Sequence, residues 1–327
     1  MNLSTRLLAL SALFGGAVLS TSAIAADLKV PNQFPTIQAA IDASNPGDKI
    51  RISPGTYDED LRLENRQDLA LKGDDGVFVR SLFAVGSDEI AIKEITFTAS
   101  VAAGPAANTQ ALIIACEQLD LRFCRFEGEN TPGLAIQVSS VTIRDTAFAG
   151  PSDAGLFLEA TQATVSRATF EPGNDLFLSV CDGVLVEESE MTGMQAFIAG
   201  SENVTFLDNT FEGSRLSLDL LSGFVVDSNR FIGGENAIHL LECSQGVISG
   251  NRVKKTVGTS IVLEDSQDVL VKKNKVKASG AVGLLLDVNS ASNVIKKNVV
   301  KKSAGFDLID DNGQNKLVKN VFGTADD

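Results

Sequence analysis

A repeat of about 22 residues constrains this chain more than any other feature. Segments starting at Ile90, Leu119, Val141, Ala163, Val184, Val204, Phe224, Gly246, Val269, Asn293 and Asn315 align one under another. Their last apolar residues are Phe97, Phe126, Phe148, Phe170, Met191, Phe211, Phe231, Val253, Val276, Val300 and Phe322. Successive spacings are 29, 22, 22, 21, 20, 20, 22, 23, 24 and 22. Within a repeat apolar and polar residues alternate, as in Val204-Thr205-Phe206, which is the period of a strand. A second apolar run follows in most repeats, for example Leu156-Phe157-Leu158 and Leu284-Leu285-Leu286. Gly, Ser, Asn and Asp separate the runs. Such a unit cannot bury its inner face alone, whereas stacked copies can, so the repeat predicts a parallel solenoid. A leucine-rich repeat has a similar period but needs a regular Leu-x-x-Leu-x-Leu pattern and a helical return, and neither is present.

Two further ladders run with the repeat. Asn209, Asn229, Asn251, Asn274, Asn298 and Asn320 each stand two residues before the closing apolar position. Asn tolerates left-handed backbone at a sharp corner, and stacked amides can bond from coil to coil. Small residues mark another bend: Cys116, Ser139, Ala160, Cys181, Ser201, Ser222, Cys243, Ser266 and Ser290. Cys116 and Cys181 are then three coils apart, roughly 14 Å at about 4.8 Å per coil. A disulfide needs Cα atoms within about 7 Å, so four buried free thiols are expected. Cys124 falls at the Asn-type corner.

The chain begins with Arg6 before an apolar run, Leu7 to Leu19, and then Ala23-Ile24-Ala25. This pattern predicts a secretory signal peptide over residues 1–25 and an exported protein, periplasmic or extracellular, without a membrane span. A net charge of −14 argues against a nucleic-acid partner. One His, no Trp and one Tyr exclude a His-based metal cluster and a Trp or Tyr stacking platform. The 18 Phe are expected mostly inside, which also argues against a sugar-stacking surface.

Three runs near the start are distinctive: Phe34-Pro35-Thr36-Ile37-Gln38-Ala39-Ala40-Ile41-Asp42, Pro46-Gly47-Asp48-Lys49-Ile50 and Ser53-Pro54-Gly55-Thr56-Tyr57-Asp58-Glu59. Together they resemble the opening of right-handed parallel β-helix proteins of the pectin-lyase-like superfamily. They are similar to pectinesterase-like and periplasmic copper-associated members. Pro35 would pre-set a helical turn whose apolar face, Ile37, Ala40 and Ile41, plugs the first coil. The expectation is all-β: a right-handed parallel β-helix of about 11–12 coils with a short N-terminal capping helix. It forms one domain over 26–327, with cap and first coil at 26–60, coils at 61–322 and a tail at 323–327. The insertion Ser100–Thr109 should protrude as a loop.

The resemblance fixes no chemistry. Polygalacturonase-like relatives use a Gly-His-Gly turn, whereas His239 sits between Ile238 and Leu240 and has no evident partner. The Asp-Pro-His-Glu run of epimerase-like relatives and the Asp-Phe-x-Phe-Gly run of pectinesterases are absent. One His and three Met suit copper poorly. A lyase-like site needs only carboxylates for Ca²⁺ and an Arg or Lys base. Its candidates are the outward corner residues Arg144, Asp145, Arg167, Glu187 and Glu188, which otherwise form solvated cross-strand ion pairs. No cofactor is expected, with Ca²⁺ entering only under this alternative.

Charge is unevenly spread. Residues 251–327 hold 13 Lys and Arg against 9 Asp and Glu; residues 26–250 hold 14 against 33. Lys272, Lys273, Lys296 and Lys297 are the candidate anion-binding residues, with Lys275, Lys277, Lys301 and Lys302 beside them. The alternative is that these lysines discourage strand pairing. The leading expectation is a non-catalytic binding or structural protein of the cell envelope or its surroundings. Its partner would be an anionic polysaccharide or envelope component, with self-association at the uncapped C-terminal end. The alternative is a polysaccharide lyase or hydrolase with an unrecognised site.

Overall fold

A computed structural model describes residues 25–98, 110–127, 133–150 and 155–323. The expected signal peptide up to Ile24, the Ser100–Thr109 insertion and the last four residues of the expected tail lie outside the described residues.

The chain is an all-β parallel solenoid of about 13 turns with a single short helix among the described residues. Each turn contributes strands to three faces. Face A buries pairs such as Leu156/Leu158 and Leu176/Leu178, and face B pairs such as Val184/Val186 and Val204/Phe206. Face C buries the closing apolar column of the repeat from Phe97 to Val300, while its last member, Phe322, is exposed. Its members pair in register from Phe97 through Phe126, Phe148, Phe170, Met191, Phe211, Phe231, Val253, Val276 and Val300 to Phe322. Tyr57 and Val79 extend the column toward the N-terminus. The turn count exceeds the expected 11–12 because face B begins with Asp27–Val30, Lys49–Ile52 and Gln67–Gly73, rungs without a closing Phe.

Aromatic stacking follows from register. Phe97, Phe126, Phe148 and Phe170 lie ring on ring, with centroids 5.1, 5.5 and 4.7 Å apart, and Phe211 stacks on Phe231 at 4.4 Å. All six are buried, each worth about 1.5–3 kcal/mol of transfer free energy.

The corner between faces B and C is hydrogen-bonded from turn to turn. Asn209 Nδ2 donates to Asn229 Oδ1, Asn229 to Asn251, Asn251 to Asn274, and Asn274 to Asn298, at 3.0–3.1 Å. Each amide also donates to a carbonyl of the preceding face B strand, as Asn251 does to Val226 O at 2.8 Å. The left-handed residue is not the Asn but the one before it. Asp208, Ser228, Lys273 and Lys297 have φ between 53° and 58°, and Gly250 has φ 67°. The non-glycine cases each carry about 1–2 kcal/mol of steric cost, which the buried amide bonds offset.

The corner between faces A and B is tight and lined by compact side chains, with two departures from the expected set. Val138, not Ser139, pairs between Cys116 and Ala160. Leu221 is the buried residue where Ser222 was expected, and Ser222 instead bridges Glu202 and Ser244. All four cysteines are free and buried. Burial pushes the Cys124 thiol up to about 12 and the Cys243 thiol up to about 11.

The helix Ile37–Ala43 packs Ile37, Ala40 and Ile41 into the same core. Thr36 Oγ1 caps it, accepting from the Ala39 N–H at 3.1 Å, so Pro35 lies outside the helix rather than in its first turn. The Glu59 carboxylate accepts from the Ile37 and Gln38 N–H groups at 3.0 and 2.9 Å.

Removing one amide tests the corner. In Asn251→Ala the Asn229 N–H loses its acceptor and Val226 O its donor. Each stranded buried group costs about 1–3 kcal/mol, so a loss on the order of 3 kcal/mol in urea unfolding is expected. A loss under about 1 kcal/mol would show that the amides merely fill space.

Candidate functional site

The mixed-charge candidates gather where face B meets the Asn-side corner. Lys29, Arg51, Lys72, Lys93, Arg122 and Arg144 occupy one outward column over consecutive rungs, followed by Ser166 and Glu187. Asp145, Arg167 and Glu188 are the left-handed residues that follow, with φ near 50°. Successive rungs therefore stack Asp145, Arg167 and Glu188 at the corner, whereas Ser166 stands between Arg144 and Glu187 in the neighbouring column.

Asp145, Arg167 and Glu188 spend their charges on one another, whereas Arg144 and Glu187 form no ion pair among the described residues. Arg167 Nε and Nη2 grip the Asp145 carboxylate at 2.6 and 2.7 Å, and Glu188 approaches Arg167 Nη1 at 4.0 Å. Upstream, Arg51 meets Asp27 at 3.0 Å, Lys72 meets Glu94 at 3.8 Å and Arg122 meets Asp120 at 2.7 Å. Hydrogen bonds from Arg167, aided by the charges of Arg167, Arg144 and Arg122, hold Asp145 below the ordinary carboxylate value. Asp145 in turn raises the Arg167 guanidinium. Both shifts move the pair away from proton transfer near neutral pH. Arg144 Nε is buried without a partner. Among the described residues, no three His, Cys, Asp or Glu are grouped to hold a metal ion.

The lysines divide differently. Lys272 and Lys296 pair in register on face B, and Lys273 and Lys297 stand at the corner with φ 57°. Across that corner, on face C, Arg230, Arg252 and Lys275 follow one outward column, and Lys254, Lys277 and Lys301 the next. A hollow of about 620 Å³ opens there, lined by Arg252, Lys254, Lys275, Lys277, Lys301 and Lys302 around Val276 and Val299. Among the described residues, none of these six cations has an acidic partner within 4.0 Å. The four candidates Lys272, Lys273, Lys296 and Lys297 do not line it.

Sequence reasoning missed Arg252 and Lys254. Their signal was alternation after each corner Asn: Arg252-Val253-Lys254, Lys275-Val276-Lys277 and Val299-Val300-Lys301 place the flanking residues outward on every rung. It also missed a partner for His239, whose Nε2 lies 3.0 Å from Glu264 Oε2. The expected interior placement of Phe holds only in part. Phe157, Phe177 and Phe197 face outward on adjacent rungs of face A.

A family model described as "Right handed beta helix region" matches residues 154–322, just over half of the chain. No curated protein matches in sequence. Among solved structures, the chain resembles a periplasmic alginate epimerase, AlgG, at 12% identity and TM-score 0.62, covering 90% of this chain and 83% of that one. It resembles a GH87 α-1,3-glucanase from Streptomyces thermodiastaticus at 14% identity and TM-score 0.55, over 90% and 68%. It also resembles PfbA, a surface adhesin of Streptococcus pneumoniae, at 12% identity and TM-score 0.51, over 88% and 85%. These likenesses describe the fold. Among the described residues no helix is long and apolar enough to cross a membrane.

The Asp145–Arg167 pair yields a signed pH prediction. A carboxyl held below its ordinary value of 3.8 stabilises the fold fully above that value, and the contribution is lost as pH falls through the lower folded-state value. Arg167→Ala is expected to return Asp145 toward 3.8 in a carboxyl-carbon NMR titration and to leave stability at pH 7–8 without new pH dependence. An unchanged Asp145 titration would refute the pairing.

Proposed function

The chain belongs to the right-handed β-helix family, and from that premise we propose that it is an exported, non-catalytic protein that binds anionic polysaccharide. The reading rests on one observation: six cations line a single hollow on face C, without acidic partners among the described residues, in a chain of net charge −14. Unpaired like charges in register repel, and a polyanion laid along the rungs removes that repulsion. A chain of uronate carboxylates suits it, since neighbouring rungs repeat at about 4.8 Å, the first two present a cation on each side of the strand, and the third adds Lys301. Val299, which takes the outward place after Lys275, gives the sugar rings an apolar contact. The alginate-related and adhesin relatives, named for a periplasmic enzyme and a surface protein, support export and a glycan partner. In this reading the helix Ile37–Ala43 plugs the N-terminal end of the solenoid.

Relatives that act on polysaccharides favour a second reading, an enzyme with a site of its own. Its candidate residues remain Arg144, Asp145, Arg167, Glu187 and Glu188, with Ca²⁺ as the implied ion. The mutual neutralisation of Asp145 and Arg167 weighs against it.

Retention on alginate and polygalacturonate beads tests the first reading. Binding at low salt is expected, with elution as salt rises, because exposed charges are screened beyond about 10 Å at 0.1 M. Lys275→Glu combined with Lys301→Glu is expected to abolish retention, while Lys272→Glu combined with Lys296→Glu reduces it only modestly. No retention at low salt refutes the reading. Release of reducing ends or unsaturated products, lost in Arg167→Ala, replaces it with the second.

A further inference from the structure

We propose that face A carries a second, separate glycan site, one that takes a neutral, hydroxyl-rich polysaccharide by stacking on the outward ladder Phe157, Phe177 and Phe197. The three rings occupy one outward column on consecutive rungs. Rungs repeat at about 4.8 Å, so the ladder offers one aromatic surface per turn along the solenoid axis. Phe177 and Phe197 meet edge to face with centroids 6.2 Å apart. Phe157 is 36% exposed, and the other two are half-buried. Phe side chains on the outside of a sheet whose inner face is already filled by Leu156, Leu158, Leu176, Leu178, Ala196 and Ile198 add nothing to the core.

The column changes character at its C-terminal end. Phe197 pairs with Ser217, and Ser217 with His239. The aromatic surface therefore stops at a small residue, and beyond it His239 and Glu264 form a polar pair at 3.0 Å. The flanks are polar too. Glu159 accepts from Gln137 Nε2 at 2.7 Å on one side, and Asp219 stands further along the same side. Gln195 and Arg215 pair in register on the other.

These flanks select the ligand. Glu159, Asp219 and Glu264 are acceptors for sugar hydroxyls and repel a carboxylate or sulfate, and they outnumber the single cation on the flanks, Arg215. An anionic chain is thus favoured in the face C hollow and disfavoured here. A neutral chain loses nothing to either charge set and gains from the rings, whose faces pack against the apolar C–H faces of sugar rings. The site does not depend on the cationic hollow, and the two are separable by salt.

Calorimetric titration with three neutral probes tests it: soluble β-1,3-glucan, dextran and hydroxyethyl cellulose, in about 1 M NaCl, where the Debye length is about 3 Å. At least one probe is expected to bind at that salt. Phe177→Ala and Phe197→Ala are each expected to weaken its binding about tenfold. Phe197→Tyr should retain it, and Lys275→Glu should leave it unchanged. Circular dichroism checks that the variants stay folded, which their outward placement favours. Binding by none of the three probes overturns the proposal. So does binding indifferent to the Phe substitutions, and so does concentration-dependent dimerisation abolished by those substitutions, which would assign the ladder to a second copy of the chain. Failure of the alginate experiment leaves this result untouched, because that experiment probes another face at low salt.

Discussion

Everything in this molecule depends on parallel backbone pairing between one turn and the next, held in strict register. Once a rung is laid on its predecessor, every side chain inherits the neighbour above and below it. Inside, that inheritance produces the ring-on-ring column and the buried amide corner. Outside, it turns a single preference at one strand position into a stripe. Like charges then accumulate as easily as like rings, and nothing in the backbone opposes either.

The two sides of the sheet answer to different pressures. The inward positions are governed by volume, because a buried aromatic must fit between the rings of adjacent turns. Among the outward positions near the Asn corner Arg51, Lys72, Arg122 and Arg167 each find a carboxylate, whereas Lys29, Lys93, Lys272 and Lys296 find none within 4.0 Å among the described residues. On face C, Arg252, Lys254, Lys275, Lys277 and Lys301 likewise have no acidic partner among the described residues, and they differ in lining one hollow together.

The solenoid was legible because its closing apolar position recurs with little variation, and pairing follows that recurrence without exception from Phe97 to Phe322. Fine registration at the first bend was not. Val138 and Leu221 take places that Ser139 and Ser222 seemed to hold, since turn lengths of 20 to 24 residues blur which of two neighbours points inward. At the second bend the left-handed backbone lies one residue before the Asn, because the amide must point inward to reach the next turn. The candidate surfaces were partly legible. The lysine-rich character of the C-terminal turns is plain in the sequence, but the division of that charge between two faces depends on where the corner falls. The outward rings escaped notice because Phe is the core residue of this repeat, and His239 met Glu264 only when 25 residues of chain had wound once around.

The uneven sharing of charge has a mechanical consequence. A rod that is acidic over most of its length and basic in its last turns has a permanent moment directed along its axis. Near any polyanionic gel it experiences a torque as well as an attraction, so the C-terminal turns swing inward first while the acidic shaft is pushed outward. In the proposed reading, docking then begins from an already chosen orientation, with the basic C-terminal end leading and the acidic shaft trailing into solvent.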